Sequence, residues 1–73
     1  MEDFEMIMVA SSTISAIGYR EDLQTLRIQF QNGNIYEYYN FPLIEFENFK
    51  TATSLGSYFN HHIKNNYPYN KIG

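Results

Sequence analysis

Between Leu26 and Tyr38 the chain reads Leu-Arg-Ile-Gln-Phe-Gln-Asn-Gly-Asn-Ile-Tyr-Glu-Tyr, two alternating runs broken by Asn32-Gly33. Asn-Gly between alternating apolar runs is the strongest short-range hairpin signal. Turn geometry leaves two registers. A two-residue turn at Asn32-Gly33 sets Phe30 opposite Ile35 and puts the tyrosines on the polar face. A three-residue loop, Gln31-Asn32-Gly33, with Gly33 left-handed in a bulge, pairs Phe30 with Asn34, Ile28 with Tyr36 and Leu26 with Tyr38. The second register is favoured. It gathers Leu26, Ile28, Phe30, Tyr36 and Tyr38 on one face, worth roughly 1.5–3 kcal/mol per fully buried aliphatic or Phe side chain, and turns Arg27, Gln29, Gln31 and Glu37 outward.

Such a sheet must be covered by little chain. Seventy-three residues make one domain, and a chain of this size buries only about 60% of the surface it exposes when unfolded. Aromatic residues fill the deficit: Tyr and Phe reach 18% of the chain without any Trp, and such rings bury roughly 150–250 Å² each. The absence of cysteine excludes disulfides and thiolate metal sites. No apolar run is long enough for a membrane span, and the acidic start lacks the basic residues of a signal peptide. A soluble, cytoplasmic protein is expected.

Upstream of the hairpin, residues 1–8 are expected to be loose, or to contribute an edge strand through Met6 to Val9. Ser11 to Tyr19 reads as a strand. Ile14 and Tyr19 have opposite parity, so a bulge between Ala16 and Gly18 is expected to bring both to the buried side. The polar stretch Arg20 to Thr25 closes a second hairpin loop. Downstream, Pro42 ends the sheet and opens a helix, with Leu43, Phe46, Phe49 and Ala52 at every third position and Ile44 outside that stripe. A second helix starts at an N-cap, Thr53 or Ser54, and buries Leu55, Phe59, Ile63 and Tyr67. Gly56 lies in that stripe and marks a close approach. Pro68 ends the helix, and residues 68–73 are expected to be a tail. The fold expected is α+β: a three-stranded antiparallel meander followed by two helices packed on one face.

The pattern Ser11-Ser12, Ile14, Gly18-Tyr19, Leu26-x-Ile28-x-Phe30-x-x-Gly33, Tyr36-x-Tyr38, Phe41-Pro42, Ala52, Ser54-x-Gly56 and Tyr58-Phe59-Asn60 resembles the KTSC domain over nearly the whole chain. That family takes its name from a C-terminal extension of some lysyl-tRNA synthetases and also occurs as stand-alone proteins in bacteria and phages. The resemblance implies an RNA-binding role by analogy with the synthetase context. This sequence departs from a general RNA grip in one respect, a net charge of −3, since counterion release needs several cations.

Charge distribution narrows the search for a ligand site. All eight acids lie at or before Glu47, while residues 48–73 hold Lys50, Lys64, Lys71 and both histidines. At the start of the second helix, Ser54 and Gly56 offer backbone amides to an anion. Tyr58, Asn60 and His62 border that position, and Lys50 and Lys64 are the nearest cations by sequence. The bland alternative is ordinary capping by Ser54. Tyr36 and Tyr38 are either a base-stacking platform or, as the bulged register favours, part of the core. Adjacent residues on a helix diverge by about 100°, so His61-His62 is not expected to clamp a metal, and no nucleophile elbow or phosphate-loop motif is present. The function expected is a non-catalytic binding module, without cofactor or metal, for RNA or another phosphate-bearing ligand such as a nucleotide. The alternative is a protein-interaction or homo-oligomerising module, including a phage-type oligomer that sequesters a nucleotide between subunits.

Overall fold

The computed structural model describes residues 4–73; of the segment expected to be loose, residues 1–3 lie outside the described residues. Its elements are β1 (Ile7–Met8), β2 (Ile14–Arg20), β3 (Thr25–Phe30), β4 (Ile35–Tyr38), α1 (Leu43–Lys50), α2 (Leu55–Tyr58), which runs on as a π-helical turn (Phe59–Ile63), and β5 (Tyr69–Lys71). The sheet is antiparallel throughout, with five strands in the order β1-β2-β3-β4-β5. Two strands must therefore be added to the expected meander. Ile7–Met8 pairs along β2, and the expected tail is strand β5, where Tyr38 faces Tyr69 and Tyr36 faces Lys71. The first is the edge strand that Met6 to Val9 was expected to allow; the second is too short for alternation to reveal it.

The central hairpin has the bulged register. Leu26 faces Tyr38 and Ile28 faces Tyr36; the Phe30 amide donates to the Asn34 carbonyl at 2.9 Å, and the Gly33 amide returns to the Phe30 carbonyl at 2.9 Å. Gly33 has φ +92°, a conformation open to glycine at little cost, and the Asn32 side chain accepts from the Asn34 amide. The bulge in β2 exists, but one position earlier than expected. It falls at Ser15, between Ile14 paired with Phe30 and Ala16 paired with Gln29. The extra residue puts Ile14 on the same face as Ile17 and Tyr19. Gly18 has a different purpose, since a Cβ there would lie 2.6 Å from Met6 Sδ and 3.1 Å from the Glu5 carbonyl. The segment before β1 crosses the outer face at that point, and the Arg27 guanidinium lies 4.1 Å from the centre of the Phe4 ring.

The helices cover the inner face. Ile14, Ile17, Leu26, Ile28 and Tyr38 from the sheet meet Phe41, Phe46, Phe49, Leu55, Phe59 and Ile63 in one core. Along α1, Phe46 and Phe49 are buried and Ile44 is exposed, as the spacing predicts, but Leu43, the first residue of the expected stripe, is also exposed. Pro42 serves as the N-cap residue, extended at φ −73° and ψ 152°, rather than as the first helical residue. Ser54 caps α2 by accepting from the Ser57 amide. Beyond it the Lys64 amide donates to the Phe59 carbonyl at 2.9 Å, the i to i+5 bond of a π turn. In an α turn a residue four positions on runs ahead of its predecessor, and in a wider π turn it falls behind. The two drifts offset each other, so Leu55, Phe59 and Ile63 all point inward.

Candidate functional site

The residues singled out around Ser54 do not form one cluster. Ser54, Gly56 and Asn60 line a groove of about 340 Å³ together with Ser11, Ser12, Thr13, Thr53 and Ser57. Hydroxyls dominate it because the loop before β2, rich in small polar residues, folds against the first turn of α2. Gly56 permits that approach: a Cβ there would sit 3.2 Å from Thr13 Oγ1. Tyr58 and His62 lie elsewhere: the Tyr58 hydroxyl donates to Glu45 of α1 at 2.8 Å, and the exposed His62 ring lies tilted against the Tyr58 ring at 4.4 Å. The stretch that is free of acids in sequence is thus met in space by Glu45. Lys50 pairs with Glu47 at 3.2 Å and lines neither groove.

Lys64 belongs to a second groove, of about 290 Å³, formed by Phe30, Asn32, Asn34, Tyr36, Tyr38, Phe59, Lys64, Asn65 and Tyr69. Its floor is the aromatic ladder created by the bulged hairpin and by β5. Tyr36 stacks along Tyr38 at 6.4 Å, and Tyr69 lies 5.9 Å from Tyr36 and 5.7 Å from Tyr38. Phe59 meets the edges of Phe30 and Tyr38 at 5.3 and 5.7 Å. Tyr38 is buried and Tyr36 half-buried, so both tyrosines pack in the core and also line this groove. Tyr69, 57% exposed, offers the free ring face. Reading residues 68–73 as a tail hides Tyr69, and only its alternation with Tyr67 and Lys71 hints at a strand. Asn32, Asn34 and Asn65 reach the groove from two loops far apart in sequence.

Burial, aided by Tyr36 and Tyr69, pushes the Tyr38 phenol up to about 12. Burial together with the Glu45 hydrogen bond raises Tyr58 to about 12 as well. In the unfolded chain both phenols ionise near their ordinary value of about 10. The unfolded state therefore holds fewer protons than the native state between pH 10 and 12, and stability falls as pH rises through that window. Melting temperature measured against pH is expected to be unaffected by these two groups below about pH 9 and to decline above pH 10. Tyr38→Phe is expected to flatten the decline.

His61 Nδ1 contacts the backbone carbonyl of Ser57 at 2.9 Å rather than a hydroxyl. Among the described residues no group of three or more His, Asp or Glu side chains is placed to hold a metal, and no helix is long and apolar enough to cross a membrane. Arg27, on the outer face, is engaged by Glu37 at 2.6 Å.

Comparison with known proteins agrees with the fold. The family model described as KTSC domain matches residues 10–67. The chain is similar to a lysine–tRNA ligase of Nostoc sp., 36% identical over 69 residues, and to one of Trichormus variabilis, 33% identical over 69 residues. It spans 94% of its own length in these matches but only 12% of theirs. Among solved structures, the crystal structure of a KTSC domain protein from Yersinia pestis is 38% identical with a TM-score of 0.91, covering 97% of this chain and 100% of that one.

Proposed function

Given that this chain belongs to the KTSC domain family, we propose that it is a non-catalytic module that binds RNA or another phosphate-bearing ligand such as a nucleotide. The observation that carries the proposal is the aromatic groove, where an exposed tyrosine face, a lysine and three asparagine amides share one concave surface. A base stacks on Tyr69 and Tyr36, since every base has a π-face and needs no particular sequence. Asparagine amides supply both donors and acceptors to its edge, and Lys64 meets the phosphate. The similarity to a short part of two lysine–tRNA ligases supports an RNA ligand over a protein one. The Ser54 turn, the site expected from sequence, holds no cation, and its amides are partly taken up by capping. Lys64 therefore moves the phosphate subsite to the aromatic groove.

Titration with oligoadenylate RNA at low salt tests the proposal. Tyr69→Ala is expected to cost about 1–3 kcal/mol of binding. Lys64→Ala is expected to weaken binding at low salt and to matter less as salt rises, and the salt slope of the parent is expected to be shallow because few cations take part. Failure of the parent to bind RNA or nucleotides at millimolar concentration, or indifference of binding to both substitutions, would overturn it. A second reading, self-association, draws on the outer strands: Met8 on β1 is 78% exposed, and Ile72 beside β5 is 45% exposed. Unpaired strand edges with apolar side chains are templates for another chain, and the size of the protein in solution decides this reading independently of RNA.

A further inference from the structure

The hydroxyl-lined groove and the aromatic groove have no lining residue in common, but they are bordered by the same two segments of the fold. On one side, the loop that carries Ser11, Ser12 and Thr13 is tied to the hairpin loop that carries Asn32 and Asn34. The Gln31 amide donates to the Thr13 carbonyl at 2.9 Å, and the Gln31 side chain donates to the Ser11 carbonyl at 3.0 Å. On the other side, one continuous helical segment supplies Gly56, Ser57 and Asn60 to the first groove and Phe59 and Lys64 to the second. From Gly56 to Lys64 is at most about 12 Å along the helix axis, the π turn being more compressed than an α turn, still longer than a single base plane needs.

The chemistry changes along that length. At one end lie rings, amides and a lysine. At the other lie Ser12, Thr53, Ser57 and Asn60, short side chains that both donate and accept and carry no charge. Serine, threonine and asparagine are the uncharged side chains that hold sugar and phosphate oxygens, and a ribose adds a 2′-hydroxyl that is itself donor and acceptor.

We propose that the two grooves are one trough for single-stranded RNA: one base stacks in the aromatic groove, and the ribose-phosphate of the adjoining nucleotide lies among the hydroxyls of the other. This inference rests on the binding reading above and adds that the ligand is an oligonucleotide rather than a mononucleotide, with its backbone crossing the rim at Asn60.

The test is a calorimetric titration of the full chain with adenosine monophosphate, tetra-adenylate RNA and the matching tetradeoxyadenylate, repeated on a Ser12→Ala, Ser57→Ala double variant. Both side chains are exposed, so the variant is expected to melt with the parent. For the parent, tetra-adenylate is expected to bind at least tenfold tighter than the monophosphate, more than four equivalent registers supply by counting, and tighter than its deoxy counterpart. For the double variant, tetra-adenylate is expected to lose about tenfold, equivalent to about 1.4 kcal/mol, while the monophosphate is unchanged. Equal affinity for the two RNA ligands after that counting correction, or an equal loss for both in the variant, would overturn the trough and leave the aromatic site standing. Binding of neither ligand by the parent would overturn both.

Discussion

Phe41→Ala is expected to leave the protein largely unfolded, with loss of the cooperative urea transition. The ring is 0% exposed, packs on Tyr67 at 4.6 Å and meets the edge of Tyr19 at 6.3 Å. Its backbone is fixed on both sides: the amide donates to the Gln24 carbonyl at 2.9 Å, and the carbonyl accepts from the Tyr19 hydroxyl. Truncating a buried Phe removes its transfer free energy and leaves a cavity that such a braced site cannot close, together about 3–5 kcal/mol. At about 0.05–0.15 kcal/mol per residue, that is much or all of the stability available to a chain of this length. Phe30→Ala, at the half-buried end of the same sheet face, is expected to cost less. The control is Ile44→Ala, 67% exposed on α1, which is expected to stay within about 0.5 kcal/mol of the parent. A Phe41→Ala protein that unfolds within about 1 kcal/mol of the parent would contradict this packing.

Gly18→Val is expected to detach the segment around Met6 from the sheet. Valine suits an inner strand on intrinsic preference, so the sign of the effect depends on what lies above the position. Here Met6 Sδ and the Glu5 carbonyl stand where the new side chain must go. The methionine can swing away, but the backbone carbonyl cannot move without drawing β1 with it, and overpacking of this kind costs about 1–3 kcal/mol. Amide hydrogen exchange is the suitable measurement. Faster exchange is expected where β1 pairs with β2, with protection of the β3–β4 pair retained. Met6→Ala in the same chain is expected to return only part of the loss, because the carbonyl remains. Undiminished protection at Val9, whose amide donates to the Ser15 carbonyl at 3.1 Å, would show that the segment accommodates valine after all.

The candidate sites were legible to differing degrees. Gly33 and the apolar parity around it identified the hairpin loop, and the i, i+4 stripe identified Leu55, Phe59 and Ile63, because both signals are periodic and local. Ser54 and Gly56 could be named for the same reason, as a cap and a small residue at a helix start. Their grouping with Tyr58, His62, Lys50 and Lys64 failed. Neighbours in sequence on one helix point to different faces, so the same segment sends Asn60 toward the loop before β2, Tyr58 toward Glu45 on α1 with His62 beside it, and Lys64 toward Tyr69. The conflict of parity between Ile14 and Tyr19 requires a bulge in β2 but does not say where in the strand it falls, and it falls at Ser15, before the stretch from Ala16 to Gly18. Gly18 is small for the sake of a segment that packs across it, a reason that parity does not contain.

By itself the sequence determined the α+β class, the bulged hairpin, the face taken by the large side chains of that hairpin and the start of the second helix at Thr53 or Ser54. Each depends on backbone preferences and periodicities that act within a few residues. Tertiary structure alone decided that residues 69–71 form a fifth strand, that Tyr69 completes a ladder begun by Tyr36 and Tyr38, and that three asparagines and Lys64 meet around it. A three-residue strand has too little pattern to announce itself and exists because β4 would otherwise leave an edge of unpaired amides and carbonyls. The aromatic groove exists because that pairing brings together side chains more than thirty residues apart in sequence.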